Sequence, residues 1–235
     1  MSQSTPLLGA IVSNTEPSQP PGPEPLIGKH VRLELLEAKH YPDLWESFGT
    51  QNDLWTYWLD EPPSSLAEFK TYFENFSTTA GMPDLYGYAV IPLSGPHKGK
   101  ALGIGWALVE NRKNQVGELG AFFGPKLSRT RAGTEAIYLL VDLMFRKNHR
   151  RLQWKTNVLN VASRRAAERY GFVFEGTWRQ HMINKGRSRD SCWYSIIDSE
   201  WPVCKEAFET WLDDGNFDEE GQQKRKIEEI RDSLK

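Results

Sequence analysis

The stretch Glu118-Leu-Gly-Ala-Phe-Phe-Gly-Pro125 carries one carboxylate on an apolar run and leads into Arg129-Thr-Arg-Ala-Gly-Thr-Glu-Ala136. The first part reads as a strand, the second as a cationic turn that opens a helix. A helix start presents N–H groups with no intrahelical acceptor and a partial positive charge of roughly half a unit, so it stabilises an anion placed there. Backbone N–H groups over Arg129, Thr130, Arg131, Ala132, Gly133 and Thr134 fit that role, and the two guanidinium groups suit phosphate oxygens. Two arginines on a surface turn are equally compatible with simple solvation. Further on, Asn160-Val-Ala-Ser163 opens another helix, where Asn160 is either a ligand contact or only the N-cap.

Other chemistry-bearing residues are scattered. Trp55, Tyr57, Trp58 and Trp106 either line an apolar pocket or belong to the core. Arg179, His181, Arg187, Arg189 and Asp190 form a polar group around one hairpin, with His181 able to titrate near neutrality and Asp190 placed to brace an arginine or bind an amine. Aromatic walls with a few carboxylates favour a cationic, partly apolar amine.

Composition excludes several function classes. A net charge of −2 with both signs mixed along 235 residues gives no basic field for nucleic acid. The two cysteines, Cys192 and Cys204, have neither metal-ligand spacing nor the pattern of a disulfide framework, which suits a reducing, cytoplasmic setting and no metal. No apolar run approaches the ~20 residues that cross a bilayer, so no membrane partner is expected. Leu7 to Val12 is too short for a secretory leader and lacks a basic flank.

The elements that must hold these residues follow from periodicity and turn chemistry. Residues 1–25, with six prolines, are expected to form a disordered arm. Strand alternation begins at 26–36, and helices are expected over 38–50 and 64–80, the second opening with Ser65-Leu-Ala-Glu68 as a capping box. Strands at about 85–91, 101–110 and 115–123 follow one another through short turns and imply antiparallel pairing. Ile137, Leu140, Val141 and Met144 mark an amphipathic helix over 133–148. A strand at 151–157, a helix at 162–170, a hairpin of 172–180 with 192–197 about Lys185-Gly186, and a helix at 199–213 complete a domain of 26–214. Residues 215–235 read as a charged helical tail with Ile227, Ile230 and Leu234 as its apolar stripe, which offers a possible homodimer contact.

The order of these elements, with Ser128-Arg-Thr-Arg-Ala-Gly133, Asn160-Val-Ala-Ser163 and Gly171-Phe172, resembles the GNAT acyltransferase superfamily, in its RimJ/RimL-like N-acetyltransferase branch. The resemblance covers residues 26–202. It implies an α/β (α+β) fold with a mixed, mostly antiparallel central sheet of six to seven strands flanked by helices, splayed between the fourth and fifth strands. It further implies acetyl-CoA as cosubstrate, with Ala121, Phe122 and Phe123 as backbone contacts to pantetheine, residues 129–134 around the pyrophosphate, and Asn160 and Ser163 beside the pantetheine arm. The acceptor would be an amine, either a small molecule or a peptide N-terminus.

Acyl transfer to an amine needs a free amine, a polarised carbonyl and a proton for the departing thiolate. Glu118, beside the implied cleft and flanked by Gly117 and Gly120, is the preferred base, against the plainer reading of an exposed strand carboxylate. The position from which some relatives supply a second carboxylate is Lys155. The tyrosine acid common in the superfamily would fall at Ala167, so Ser163 is the preferred acid, with Tyr170 read as packing. No cysteine stands with a base and an orienting group, which argues for direct transfer over an acyl-enzyme. Two departures, Arg131 at the middle glycine of the loop and Ala167, leave a non-catalytic acyl-CoA-binding or scaffold protein as the alternative.

Overall fold

Alternation over Val31-Arg-Leu-Glu-Leu35 builds the first long strand, β2 (Val31–Leu35), with Val31 and Leu33 fully buried. The computed structural model describes residues 8–77 and 84–235. β2 pairs antiparallel with a two-residue strand β1 (Leu26–Ile27) on one side and with β3 (Leu85–Pro92) on the other. The antiparallel run continues through β4 (Gly103–Asn111) and β5 (Val116–Phe123). A crossover through α3 (Arg131–Arg146) brings β6 (Arg151–Asn157) parallel to β5. The hairpin β7 (Val173–Asn184) and β8 (Arg187–Ile197) closes the order β1-β2-β3-β4-β5-β6-β8-β7.

The mixed, mostly antiparallel sheet flanked by helices is as expected, with eight strands in place of six to seven. The extra one arises because 26–36 is broken. Glu135, buried on α3, accepts hydrogen bonds from the N–H groups of Lys29, His30 and Val31 at 2.8, 2.6 and 2.9 Å. A Cβ on Gly28 would lie 2.4 Å from that carboxylate, so glycine is what lets the chain turn there.

Helices cover both faces. Ile137, Leu140, Val141 and Met144 of α3 enter a core shared with β2 to β6 and α5 (Trp201–Leu212), each such side chain contributing about 1.5–3 kcal/mol. On the opposite face α1 (Tyr41–Leu44) and α2 (Leu66–Ser77) build an aromatic core of Phe48, Trp55, Phe69 and Phe73 around Phe122. The helix read over 38–50 is three pieces: a 3-10 turn at Ala38–His40, α1, and a π turn at Trp45–Gly49. α2 opens as expected, Ser65 Oγ accepting from Glu68 N at 3.2 Å, while the end read at 80 lies outside the described residues. A shorter helix, α4 (Val161–Tyr170), follows β6.

Both termini depart from their sequence readings. Residues 14–22 of the arm dock: Gln115 Nε2 donates to the carbonyls of Asn14 and Glu16, Ser18 N donates to Arg112 O, and Tyr88 OH donates to Gly22 O. Low hydrophobicity does not prevent order here, because the arm's backbone groups find partners on the β4–β5 turn and the end of α3. Among the described residues the tail is helical in a 3-10 turn at Asp214–Asn216 and in α6 (Ile227–Ser233), where Ile227 and Ile230 are buried against this chain's own core. That stripe is therefore not an exposed face for a second copy. Among the described residues, no helix is long and apolar enough to cross a membrane.

Candidate active site

β5 and β6 share three rungs, Val116 with Arg151, Gly117 with Leu152 and Glu118 with Gln153, and then part. β5 stays paired to β4 as far as Phe123, and β6 to β8 as far as Asn157. Among the described residues, the edge of β5 over 119–123 is thus left without a strand partner, and its backbone groups on that side need one. With the two-residue β1 set aside, this is the expected splay between fourth and fifth strands. Ala121, Phe122 and Phe123 lie on that edge. Phe122 itself is core, stacked against Trp58 at 4.7 Å and 4.5 Å from Phe48.

Glu118 stands where the strands part. Its carboxylate meets Lys155 Nζ at 2.5 Å, and that ammonium lies 4.6 Å from the centre of the Trp193 ring. Burial raises the Glu118 pKa above the ordinary carboxylate value, opposed by Lys155 and Arg189 and reinforced by Glu110. Glu110 in turn accepts a hydrogen bond from Gln153. The residue read only as a missing carboxylate, Lys155, is therefore the direct partner of the candidate base. Spacing in sequence carried no signal of that, since it arises from the register of β5 on β6.

The loop beyond β5 is only partly as expected. Thr130 caps α3: its Oγ1 accepts from Gly133 N at 3.0 Å and donates to Leu127 O at 2.7 Å. The N–H of Thr134 is taken by Thr130 O. Helix geometry leaves the N–H groups of Arg131 and Ala132 at the open end, beside exposed Arg129 in a left-handed conformation, φ 63°. Arg131 does not point its charge at this site. Its guanidinium is 3.1 Å from Asp214 and lies 3.3 Å over the Phe217 ring, so it pins the tail to the helix start. The Arg131 side chain, read as a phosphate contact, is thus held by a nearby carboxylate and an aromatic face.

On the facing side of the splay, Asn160 is the N-cap of α4, accepting from Ser163 N at 3.0 Å. Ser163 Oγ accepts from Trp154 Nε1 at 3.0 Å, which leaves the hydroxyl proton free to be donated elsewhere. Ala167 is fully buried, and Tyr170 packs between Trp154 and Phe208.

Of the aromatics read as a pocket or core, Trp58 and Trp106 stand 5.6 Å apart and edge to face, while Trp55 is wholly core. Gly120 is required there, because a Cβ would fall 1.9 Å from the Trp106 indole. The β7–β8 tip bends over this wall: Lys185 Nζ donates to Trp55 O at 2.8 Å and Asn184 Nδ2 to Trp58 O at 3.2 Å. Within β7, Arg179 to His181 stand as a bulge opposite Asp190, whose carboxylate accepts from Gln180 N at 2.8 Å. Asp190 is thus a brace for backbone. His181 bonds Ser191 Oγ at 2.9 Å, and burial, then Arg189 and Lys155, push its pKa down, so it is neutral at pH 7. Arg179 and Arg187 are exposed. Two surface depressions of about 510 and 360 Å3 lie elsewhere, one beside Asp213 and Arg225, the other beside Gly171 and Cys204. Neither includes Glu118, Ser163 or the start of α3.

Comparison with known proteins agrees with this geometry. The family model described as an acetyltransferase (GNAT) domain matches residues 30–173. A GCN5-related N-acetyltransferase from Brucella melitensis is 38% identical, over 94% of this chain and 100% of that one, with a TM-score of 0.88. A probable acetyltransferase of the GNAT family from Chromobacterium violaceum is 31% identical over 86% of this chain and 98% of that one, TM-score 0.72. Mycobacterium smegmatis RimJ, solved in complex with CoA-disulfide, shares the fold at 16% identity, covering 78% of this chain and 92% of its own, TM-score 0.66. No curated protein matches the chain.

Proposed function

The chain belongs to the GNAT acetyltransferase family, and from that premise we propose that it transfers an acetyl group from acetyl-CoA to a primary amine by direct attack in a ternary complex. The observation that carries the reading is the unpartnered β5 edge, with Glu118 at the fork and the α3 N-terminus at the far end. Pantetheine amides suit that edge, and the N–H groups of Arg131 and Ala132 with Arg129 suit the pyrophosphate. The motifs resemble the RimJ/RimL-like branch, and the RimJ fold supports that placement.

Bound acetyl-CoA supplies an activated thioester carbonyl. Glu118 accepts a proton from the acceptor ammonium, directly or through one water, and its burial favours a base that is stronger than an ordinary carboxylate. Ser163, whose oxygen accepts from Trp154, keeps a hydroxyl proton that it would donate to the departing thiolate. A thiolate of reference pKa about 8.5 asks little of that donor. The free, buried thiols of Cys192 and Cys204 suit a reducing compartment such as the cytoplasm.

Calorimetry with acetyl-CoA and with ADP, followed by thiol release over a panel of amines, tests the reading. Tighter binding of acetyl-CoA than of ADP, with turnover of at least one amine, is the expected result. Equal affinity for both ligands would reduce the loop to a generic phosphate site, and tight binding without turnover would restore the scaffold alternative.

A further inference from the structure

Resting on the acetyltransfer reading, we propose that the acceptor is a small zwitterionic amine of the amino-acid class, whose anionic group is bound by Arg189 while its amine meets Glu118. Residues 189, 191 and 193 of β8 lie on the same sheet face as Lys155 and Glu118, as the register Lys155 with Trp193 and Glu118 with Gln153 requires. On that face, two buried donors have no acceptor among the described residues: Arg189 Nε and Trp193 Nε1. Such donors are costly to leave unpaired, by far the more so beside a charge. Burial disfavours the Arg189 cation, and the Glu118 charge only partly compensates.

Charge matching narrows the ligand further. Glu118 is already neutralised by Lys155 at 2.5 Å. A simple cationic amine that displaced Lys155 from Glu118 would leave that ammonium and Arg189 facing each other without a counter-ion, in a half-buried site. An amine with a nearby carboxylate solves both halves: its ammonium takes Glu118, and its anion takes the cations released. The expectation of a cationic, partly apolar amine thus gives way to a zwitterion. Size follows from the hairpin tip, which Asn184 and Lys185 tie to Trp58 O and Trp55 O, so that side is covered where a protein terminus would need an open groove.

Two readouts on the full chain separate failure of this inference from failure of the acetyltransfer reading. Thermal stabilisation by L-alanine, L-phenylalanine and L-glutamate, against their α-carboxamides, reports the anion subsite without turnover. Thiol release with the same set and acetyl-CoA reports transfer. The acids are expected to stabilise the protein and to show KM values roughly tenfold to a hundredfold below those of the carboxamides, the range for a charge-assisted hydrogen bond. Arg189→Met should erase that discrimination by raising the KM of the acids to that of the carboxamides, and Arg189→Lys should restore part of it. Equal use of acids, carboxamides and simple amines by wild type and Arg189→Met would overturn the proposal and leave acetyltransfer standing, as would turnover confined to longer peptides. Preferential binding of acids without thiol release would support the anion subsite and overturn transfer.

Discussion

Replacing Gly133 with alanine tests how the turn before α3 is held against the helix. An added Cβ would sit 2.6 Å from the backbone carbonyl oxygen of Leu127, about 0.8 Å short of ordinary contact at 3.4 Å. That oxygen cannot swing away freely, because it accepts from Thr130 Oγ1 at 2.7 Å and Thr130 N at 3.3 Å, and the same hydroxyl caps Gly133 N. Relieving the overlap costs about 1–3 kcal/mol, and loosening the cap about 1 kcal/mol more. Alanine returns about 1 kcal/mol of helix propensity. The clash wins, for a net loss of about 1–3 kcal/mol. At about 2–4 °C per kcal/mol for a chain of this size, Tm should fall by roughly 2–12 °C. The displaced helix start should also weaken acetyl-CoA by roughly tenfold, one charge-assisted hydrogen bond. Differential scanning fluorimetry and calorimetry measure the two effects. An unchanged Tm would refute the close-packing argument, and a lowered Tm with unchanged affinity would refute placement of the pyrophosphate at this helix.

Four further outcomes follow from the same geometry. Glu118→Gln should lower kcat/KM by roughly 10²–10⁴ at neutral pH; because burial raises this carboxyl, wild-type activity should be lost as pH falls through a value above the ordinary carboxylate range, and a limb at the ordinary value would contradict the assignment. Lys155→Met removes the largest influence holding that pKa down, so the acidic limb should move to higher pH, and an unmoved limb would mean the ion pair does not act on the base. Arg131→Met should speed hydrogen exchange over 214–225 and change acetyl-CoA affinity less than about threefold, whereas loss of one full charge-assisted phosphate contact, roughly tenfold or more, would place the guanidinium on the cofactor after all. Glu135→Ala strands three N–H donors and should cost about 3 kcal/mol or more in urea unfolding, with a loss below about 1 kcal/mol indicating that water replaces the carboxylate.

Where a signal is local, sequence and structure agree closely. β6 runs over Arg151–Asn157 as read, α4 begins one residue earlier than read, and α3 begins two residues earlier because Thr130 is a better cap than the pattern of apolar residues reveals. The β7–β8 strands are longer than read, since a bulge at Arg179 to His181 interrupts the alternation that periodicity relies on. Gly133 shows both kinds of information at once. Its place in the loop pattern was legible, while its reason, the Leu127 carbonyl, was not.

The chain's own sequence determined the strand and helix order, the capped start of α3 and the family, because periodicity, capping and turn chemistry depend on residues a few positions apart. Only the tertiary structure decided what each polar group meets. Arg131 reaches Asp214, 83 positions away, and Lys185 reaches Trp55 across 130. Lys155 becomes the counter-ion of Glu118 because three parallel rungs set one strand against the other before they part. Alternation in sequence reports which face a side chain occupies, and carries nothing about the partner brought opposite it by packing.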